Sequence, residues 1–160
     1  MRADRARVVP MGEVPRIRRE LEGKRFVATN GCFDLLHVGH LRCLAFARSL
    51  GDLLWVGVND DESVRAQKGE NRPIHPDVER AELLAGLRVV DLVTIFSGRR
   101  ATAFLRAVRP AVYVKGGDYR PETLDPEERQ ALESMGVEIQ FFPLVTGRST
   151  TAAWEAWRKG

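Results

Sequence analysis

Short apolar runs alternate with longer amphipathic ones along the chain. Phe26–Thr29 is β-branched and apolar and predicts a buried strand ended by Asn30-Gly31. A helical pattern follows, with Leu41, Leu44, Ala45 and Phe46 on its apolar positions, reaching Leu50 before Gly51. Leu53–Val58 predicts a second strand, and Asn59-Asp60-Asp61-Glu62 marks a turn and a helix start. Further strands are predicted at Leu92–Ile95, Ala111–Lys115 and Val137–Phe142. Helices are predicted at Pro76–Leu87, Arg100–Val108, Asp125–Met135 and Ala152–Trp157. Between them, Ser63–Ile74 is polar and loop-like.

Strand, helix and strand in close succession make a βαβ unit with parallel strands and a right-handed crossover. The fold class is therefore α/β, a Rossmann-like three-layer sandwich. It has a parallel sheet of about five strands with helices on both faces. Residues 1–24 read as a charged lead-in, with a short helix over Val14–Leu21. Residues 25–160 read as the domain itself. In such sheets ligands bind beyond the carboxyl ends of the strands. That rule puts Asn30–His40 and Asn59–Asp61 on one edge.

Composition narrows the function classes. The chain has 160 residues, 44% hydrophobic and 29% charged, the mix of one soluble domain. No apolar run approaches a membrane span, and the charged N-terminus has no apolar core behind it, so neither a membrane nor a secretory signal is expected. The net charge of +3 is mild, and the arginines are scattered rather than clustered with aromatics, which argues against nucleic acid. The two cysteines, Cys32 and Cys43, do not make a disulfide framework, and a cytoplasmic setting is expected. Their spacing does not suit zinc, so no metal-ligating set is assigned. Cys32 is expected to matter through its backbone N–H.

The chemistry centres on His37-Val38-Gly39-His40, where a strand hands over to a helix. The first turn of a helix has unpaired N–H groups and the positive end of the helix dipole, which suits phosphate. Gly31 and Gly39 allow close approach. Two imidazoles there donate to phosphate oxygens and stabilise charge that builds at phosphorus. Three other stretches are open to two readings from residues alone. Lys68-Gly69 and Arg72-Pro73 suit either a solvated loop or one that closes over phosphates. Gly116-Gly117 suits an ordinary turn or a close ligand approach. Ser149, Thr150 and Thr151 suit a helix cap or phosphate contacts.

Gly31-Cys-Phe-Asp-Leu-Leu-His-Val-Gly-His40 resembles the nucleotidylyltransferase signature, and within it the cytidylyltransferase-like pattern G-x-F-D-x-x-H-x-G-H. The lead-in Thr29-Asn30-Gly31-Cys32 is similar to the adenylyltransferases of ADP-heptose synthesis. So is Lys115-Gly-Gly-Asp-Tyr119, where glycerol-phosphate cytidylyltransferases carry Gly-Asp-Asp-Trp. Ser149-Thr150-Thr151 resembles the superfamily's C-terminal I-S-T-x motif. One departure stands out. Cytidylyltransferases have Arg-Thr-Glu-Gly-Ile-Ser-Thr, whereas this chain has Leu144-Val-Thr-Gly-Arg-Ser-Thr150. Arg148 replaces the apolar residue, so the motif arginine's role does not pass to it.

The resemblance spans roughly residues 25–157 and implies transfer of AMP from ATP to D-glycero-β-D-manno-heptose 1-phosphate, with release of pyrophosphate. It implies catalytic roles for His37, His40 and Lys68. Nucleotide contacts fall to Asn30, Gly31, Cys32, Phe33, Gly39, Lys115, Gly116, Gly117, Asp118, Tyr119, Ser149, Thr150 and Thr151. Arg72 and Arg80 are candidates for the acceptor, although Arg80 reads by default as exposed. Asp34 would orient the loop, or touch the acceptor or a metal. Magnesium would accompany ATP, held mainly by phosphates and water. A separate heptose kinase would supply the substrate, and a homodimer would match what family members often form. Glycerol 3-phosphate with CTP and FMN with ATP are the enzyme alternatives. A non-catalytic nucleotide-binding regulator is the alternative of another class.

Overall fold

The computed structural model describes residues 6–117 and 119–143. Six parallel strands form one sheet. They are β1 (Arg7–Val8), β2 (Phe26–Gly31), β3 (Leu53–Asn59), β4 (Leu92–Phe96), β5 (Val112–Gly117) and β6 (Glu138–Pro143), in the spatial order β1-β4-β3-β2-β5-β6. The helices are α1 (Val14–Glu20), α2 (Val38–Ser49), α3 (Asp61–Lys68), α4 (Asp77–Ala85), α5 (Thr102–Val108) and α6 (Pro126–Ser134).

The strands read as unbroken apolar runs because both sheet faces are covered. Alternate residues divide between two cores. Phe26, Ala28, Trp55 and Tyr113 point into one, with Ile17 of α1, Phe104 of α5 and Leu132 of α6. Val27, Leu54, Val56, Val112 and Val114 point into the other, with Leu44 of α2 and Leu84 of α4. Each fully buried side chain of this size contributes about 1.5–3 kcal/mol.

Six strands stand where the sequence predicts about five. The extra one, β1, comes from the charged lead-in. Two residues are too short a run to register as a strand, but tertiary contacts hold them. Val9, Val14 and Ile17 lie in the first core. Val9 N donates to Val93 O at 2.7 Å. Buried Trp55 Nε1 donates to Thr94 Oγ1 at 2.9 Å, and that hydroxyl donates to Val9 O at 2.9 Å. The second departure is α3, which covers the first half of the stretch read as loop-like. Its apolar face is minimal, with only Ser63 and Val64 buried. Asp60 starts it instead, accepting from Ser63 N at 2.9 Å.

Chain reversal in strand order falls at β2: β3 lies on one side of it and β5 on the other. That switch point opens a crevice at the carboxyl ends of the strands.

Candidate active site

A cleft of about 580 Å³ occupies this crevice. At its centre β2 ends in Asn30-Gly31, and α2 begins at Val38. Phe33, between them, takes a left-handed backbone with φ 48°. That conformation costs on the order of 1 kcal/mol for a non-glycine residue. Burial of the Phe33 ring, whose centroid lies 5.4 Å from that of His40, offsets it.

His37 is the N-cap of α2. Its Nδ1 accepts from Gly39 N at 3.1 Å, while His40 Nδ1 accepts from His37 N at 3.3 Å. The two rings stack with centroids 3.9 Å apart. The cap and the phosphate-site readings of these histidines are therefore one arrangement. Because each Nδ1 accepts, a neutral ring carries its proton on Nε2. Both imidazoles line the cleft as N–H donors. Burial, then His37, then Lys68 push His40 down to about 4, so it is uncharged at neutral pH.

Lys68, the last residue of α3, lines the cleft on the β3 side together with Gln67. On the other side β5 delivers Lys115, Gly116 and Gly117. Gly117 has φ +103°, and a Cβ on Gly116 would lie 2.7 Å from Cys43 Sγ, so the double glycine is required by both backbone and packing. Lys115 Nζ sits 4.7 Å from the Tyr119 ring centroid and 3.8 Å from Glu128 Oε2. Burial lowers its pKa, and Glu128 opposes that shift. Asn30 Oδ1 accepts from Tyr113 Oη at 2.5 Å, tying the β2 end to β5. Burial raises both thiols, Cys43 to about 11. A protonated thiol is a poor nucleophile.

Three residues assigned to the acceptor sit elsewhere. Asp34, Arg72 and Arg80 do not line the cleft. Asp34 is buried and accepts from Arg72 Nε at 2.5 Å, Ile74 N at 2.7 Å and His75 N at 3.2 Å. Of the roles left open for it, the structure shows loop orientation. Arg80, read by default as exposed, is 0% exposed. It donates to the carbonyls of His75, Cys32 and Asn59 and to Asp61 Oδ1. A helix pattern alone put it on the surface, but three loops converge on its guanidinium.

The cleft also contains residues that sequence reasoning missed: Cys43, Arg99, Arg100, Thr123, Asp125 and Glu128. Arg99 and Arg100 follow the carboxyl end of β4, so the edge rule that located Asn59 was the available signal. Asp118, Arg148, Ser149, Thr150, Thr151 and the predicted helix at 152–157 lie outside the described residues. Among the described residues, no three His, Cys, Asp or Glu side chains gather to hold an ion. No helix among them is long and apolar enough to cross a membrane.

Comparison with known proteins places these features in a family context. The family described as cytidylyltransferase-like matches residues 28–155. The chain is 49% identical over 138 residues to the bifunctional protein HldE of Geotalea uraniireducens, covering 86% of this chain and 28% of that protein. It is 43% identical over 148 residues to the bifunctional protein HldE of a Nitratiruptor species, covering 91% of this chain and 31% of that one. The chain thus spans less than a third of the length of either relative. Among solved structures it is similar to the lipopolysaccharide core biosynthesis protein from Thermoplasma volcanium. That match has a TM-score of 0.64 and 27% identity, over 77% of this chain and 98% of that one.

Proposed function

Because this chain belongs to the cytidylyltransferase-like family of nucleotidyltransferases, we propose that it transfers AMP from ATP to D-glycero-β-D-manno-heptose 1-phosphate. The products are ADP-heptose and pyrophosphate, for bacterial surface glycan such as lipopolysaccharide. The carrying observation is the stacked pair His37 and His40, each accepting a backbone N–H on Nδ1 and both lining the cleft. The HldE relatives and the wording Asn30-Gly-Cys and Lys115-Gly-Gly-Asp-Tyr support the heptose acceptor over glycerol 3-phosphate or FMN.

The chemistry fits neutral imidazoles. A sugar phosphate is already an anion at neutral pH, so its oxygen attacks the α-phosphorus in line without a base. Pyrophosphate leaves without needing a proton. A histidine with a pKa of about 4 is a poor proton shuttle at pH 7, but its Nε2–H is a donor at every physiological pH. His37 and His40 then bind the phosphates and stabilise charge as the P–O bond breaks, and Lys68 neutralises charge beside them. The Gly31–Phe33 backbone meets ATP at the N-terminus of α2, and Lys115–Tyr119 frames the nucleoside. Ser149–Thr151 are assigned the β and γ phosphates. Magnesium enters as part of the substrate, bound to ATP. Among the described residues, the two carboxylates that line the cleft, Asp125 and Glu128, already face Arg100 and Lys115. Such an enzyme needs a kinase activity to supply the heptose 1-phosphate, and a cytoplasmic setting to supply ATP.

The test is pyrophosphate release with magnesium, crossing ATP and CTP against heptose 1-phosphate, glycerol 3-phosphate and FMN. The expected result is release with ATP and heptose 1-phosphate only, abolished by His40→Ala. Release with CTP and glycerol 3-phosphate would keep the mechanism and overturn the acceptor. ATP binding without release for any pair would favour a nucleotide-binding regulator.

A further inference from the structure

Among the described residues, four cations line the cleft: Lys68, Arg99, Arg100 and Lys115. Two are committed to carboxylates. Arg100 donates through Nε to Asp125 Oδ2 and through a terminal nitrogen to Glu127 Oε2, each at 2.9 Å. Lys115 faces Glu128. Lys68 and Arg99 carry no carboxylate among the described residues. These two uncommitted cations stand at different places. Lys68 bears electrostatically on His40. Arg99 belongs to the loop beyond β4, two strands from β2 and on the opposite side from β5. That loop is anchored to the end of β3. Asn59 Nδ2 donates to Gly98 O at 3.1 Å, and Asp60 N donates to Phe96 O at 3.0 Å.

A nucleotide framed at β5, with its phosphates on the histidines and Lys68, leaves Arg99 facing the far end of the cleft. The proposed reaction brings two anions together, and only one is the triphosphate. Resting on that reaction, we infer that Arg99 receives the phosphate of the second substrate and makes a phosphate monoester, rather than a neutral alcohol, the acceptor class. A guanidinium fork matches two phosphate oxygens at once, which a lysine does not. Presented from an anchored loop, it orients the attacking oxygen as well as binding it.

The direct test needs no turnover. The 15N-labelled protein is saturated with magnesium and α,β-methylene-ATP and titrated with inorganic phosphate, following the Arg99 Nε–Hε signal (assigned by its absence in Arg99→Ala). The signal is expected to shift and saturate. Calorimetry is expected to show phosphate binding roughly 10- to 100-fold weaker in Arg99→Ala, with affinity for the ATP analogue unchanged. Arg99→Lys should restore part of the loss. An unmoved signal, phosphate binding equal in Arg99→Ala and wild type, or a loss of analogue affinity instead would each overturn the inference. For whichever acceptor drives pyrophosphate release, Arg99→Ala should raise KM for that acceptor and leave KM for ATP unchanged; the reverse pattern would also overturn it. Failure of every acceptor would sink the reaction assignment, while the phosphate titration would still decide Arg99.

Discussion

Two sets of cations surround the same strand ends and are used in opposite ways. Arg80 and Arg72 lie behind the cleft, 0% and 8% exposed, with carbonyls and carboxylates on their guanidinium groups. Lys68 and Arg99 face the cleft, exposed and without a carboxylate among the described residues. The first set is framework. Each member is buried with acceptors of the chain on its guanidinium, and removing it strands the groups it satisfied. Among the described residues the second set carries no carboxylate, and both members are exposed, so removing either strands no buried group there. All four residues are basic. What separates them is whether acceptors of the chain itself converge on the charge.

The largest effect should come from breaking the framework. Arg80→Ala leaves the carbonyls of Cys32, His75 and Asn59 without their donor and opens a gap among three loops. A loss of about 3–5 kcal/mol is expected, seen as a melting temperature lower by roughly 10 °C for a chain of this size. Normal melting with activity lost would move Arg80 into the binding set and erase the contrast. Next comes His40→Ala, expected to cost roughly 10²–10³ in kcat/KM, the loss typical of one charge-stabilising donor. Its melting temperature should stay near that of the wild type. Lys68→Ala follows, with kcat/KM down about 10- to 100-fold. Lys68→Arg should recover much of it, because the task is charge beside phosphate rather than a fixed contact. A melting temperature that falls with Lys68→Ala as far as with Arg80→Ala would break the comparison from the other side.

The parts legible in the sequence share one property: they are local. The strands β2 to β6 announce themselves by apolar runs, and the His37–His40 turn by residue spacing next to one of those runs. What escaped depends on distant partners. β1 is held by β4, through its backbone and through Thr94, which donates to Val9 O while Trp55 holds its hydroxyl. Arg80 is buried only because residues 32, 59 and 75 meet at one point. For Asp34 the residues alone leave loop orientation, the acceptor and a metal open, and only its distant partners Arg72, Ile74 and His75 show the first. Arg99 went unnoticed for the opposite reason. It has no partner pattern to betray it, and only the strand order shows that the loop after β4 opens onto the same cleft.

The smallest expected effect is a titration, and it sharpens the comparison most, because it reads Lys68 without any substrate. His40 has an ordinary value of 6.5 and is held at about 4 by burial, His37 and Lys68, in that order. Between those two pH values the unfolded chain binds a proton that the folded chain refuses. Acid therefore favours unfolding, and the stability His40 contributes is complete above pH 6.5, falls as pH drops through this window, and levels off below 4. The ring is partly solvent-exposed, so the loss is about 1–2 kcal/mol once screening is counted. Denaturant melts of wild type and His40→Asn across the window isolate it, since Asn keeps an oxygen able to accept from His37 N while removing the titration. A second arm follows the His40 ring signal by NMR. Lys68→Ala should raise its pKa, because a repelling cation is gone. Bound ATP should raise it too, because an anion then sits beside the ring and favours its charged form. If Lys68→Ala leaves the titration unmoved, Lys68 does not share the histidines' phosphate site, and the cation set facing the cleft reduces to Arg99.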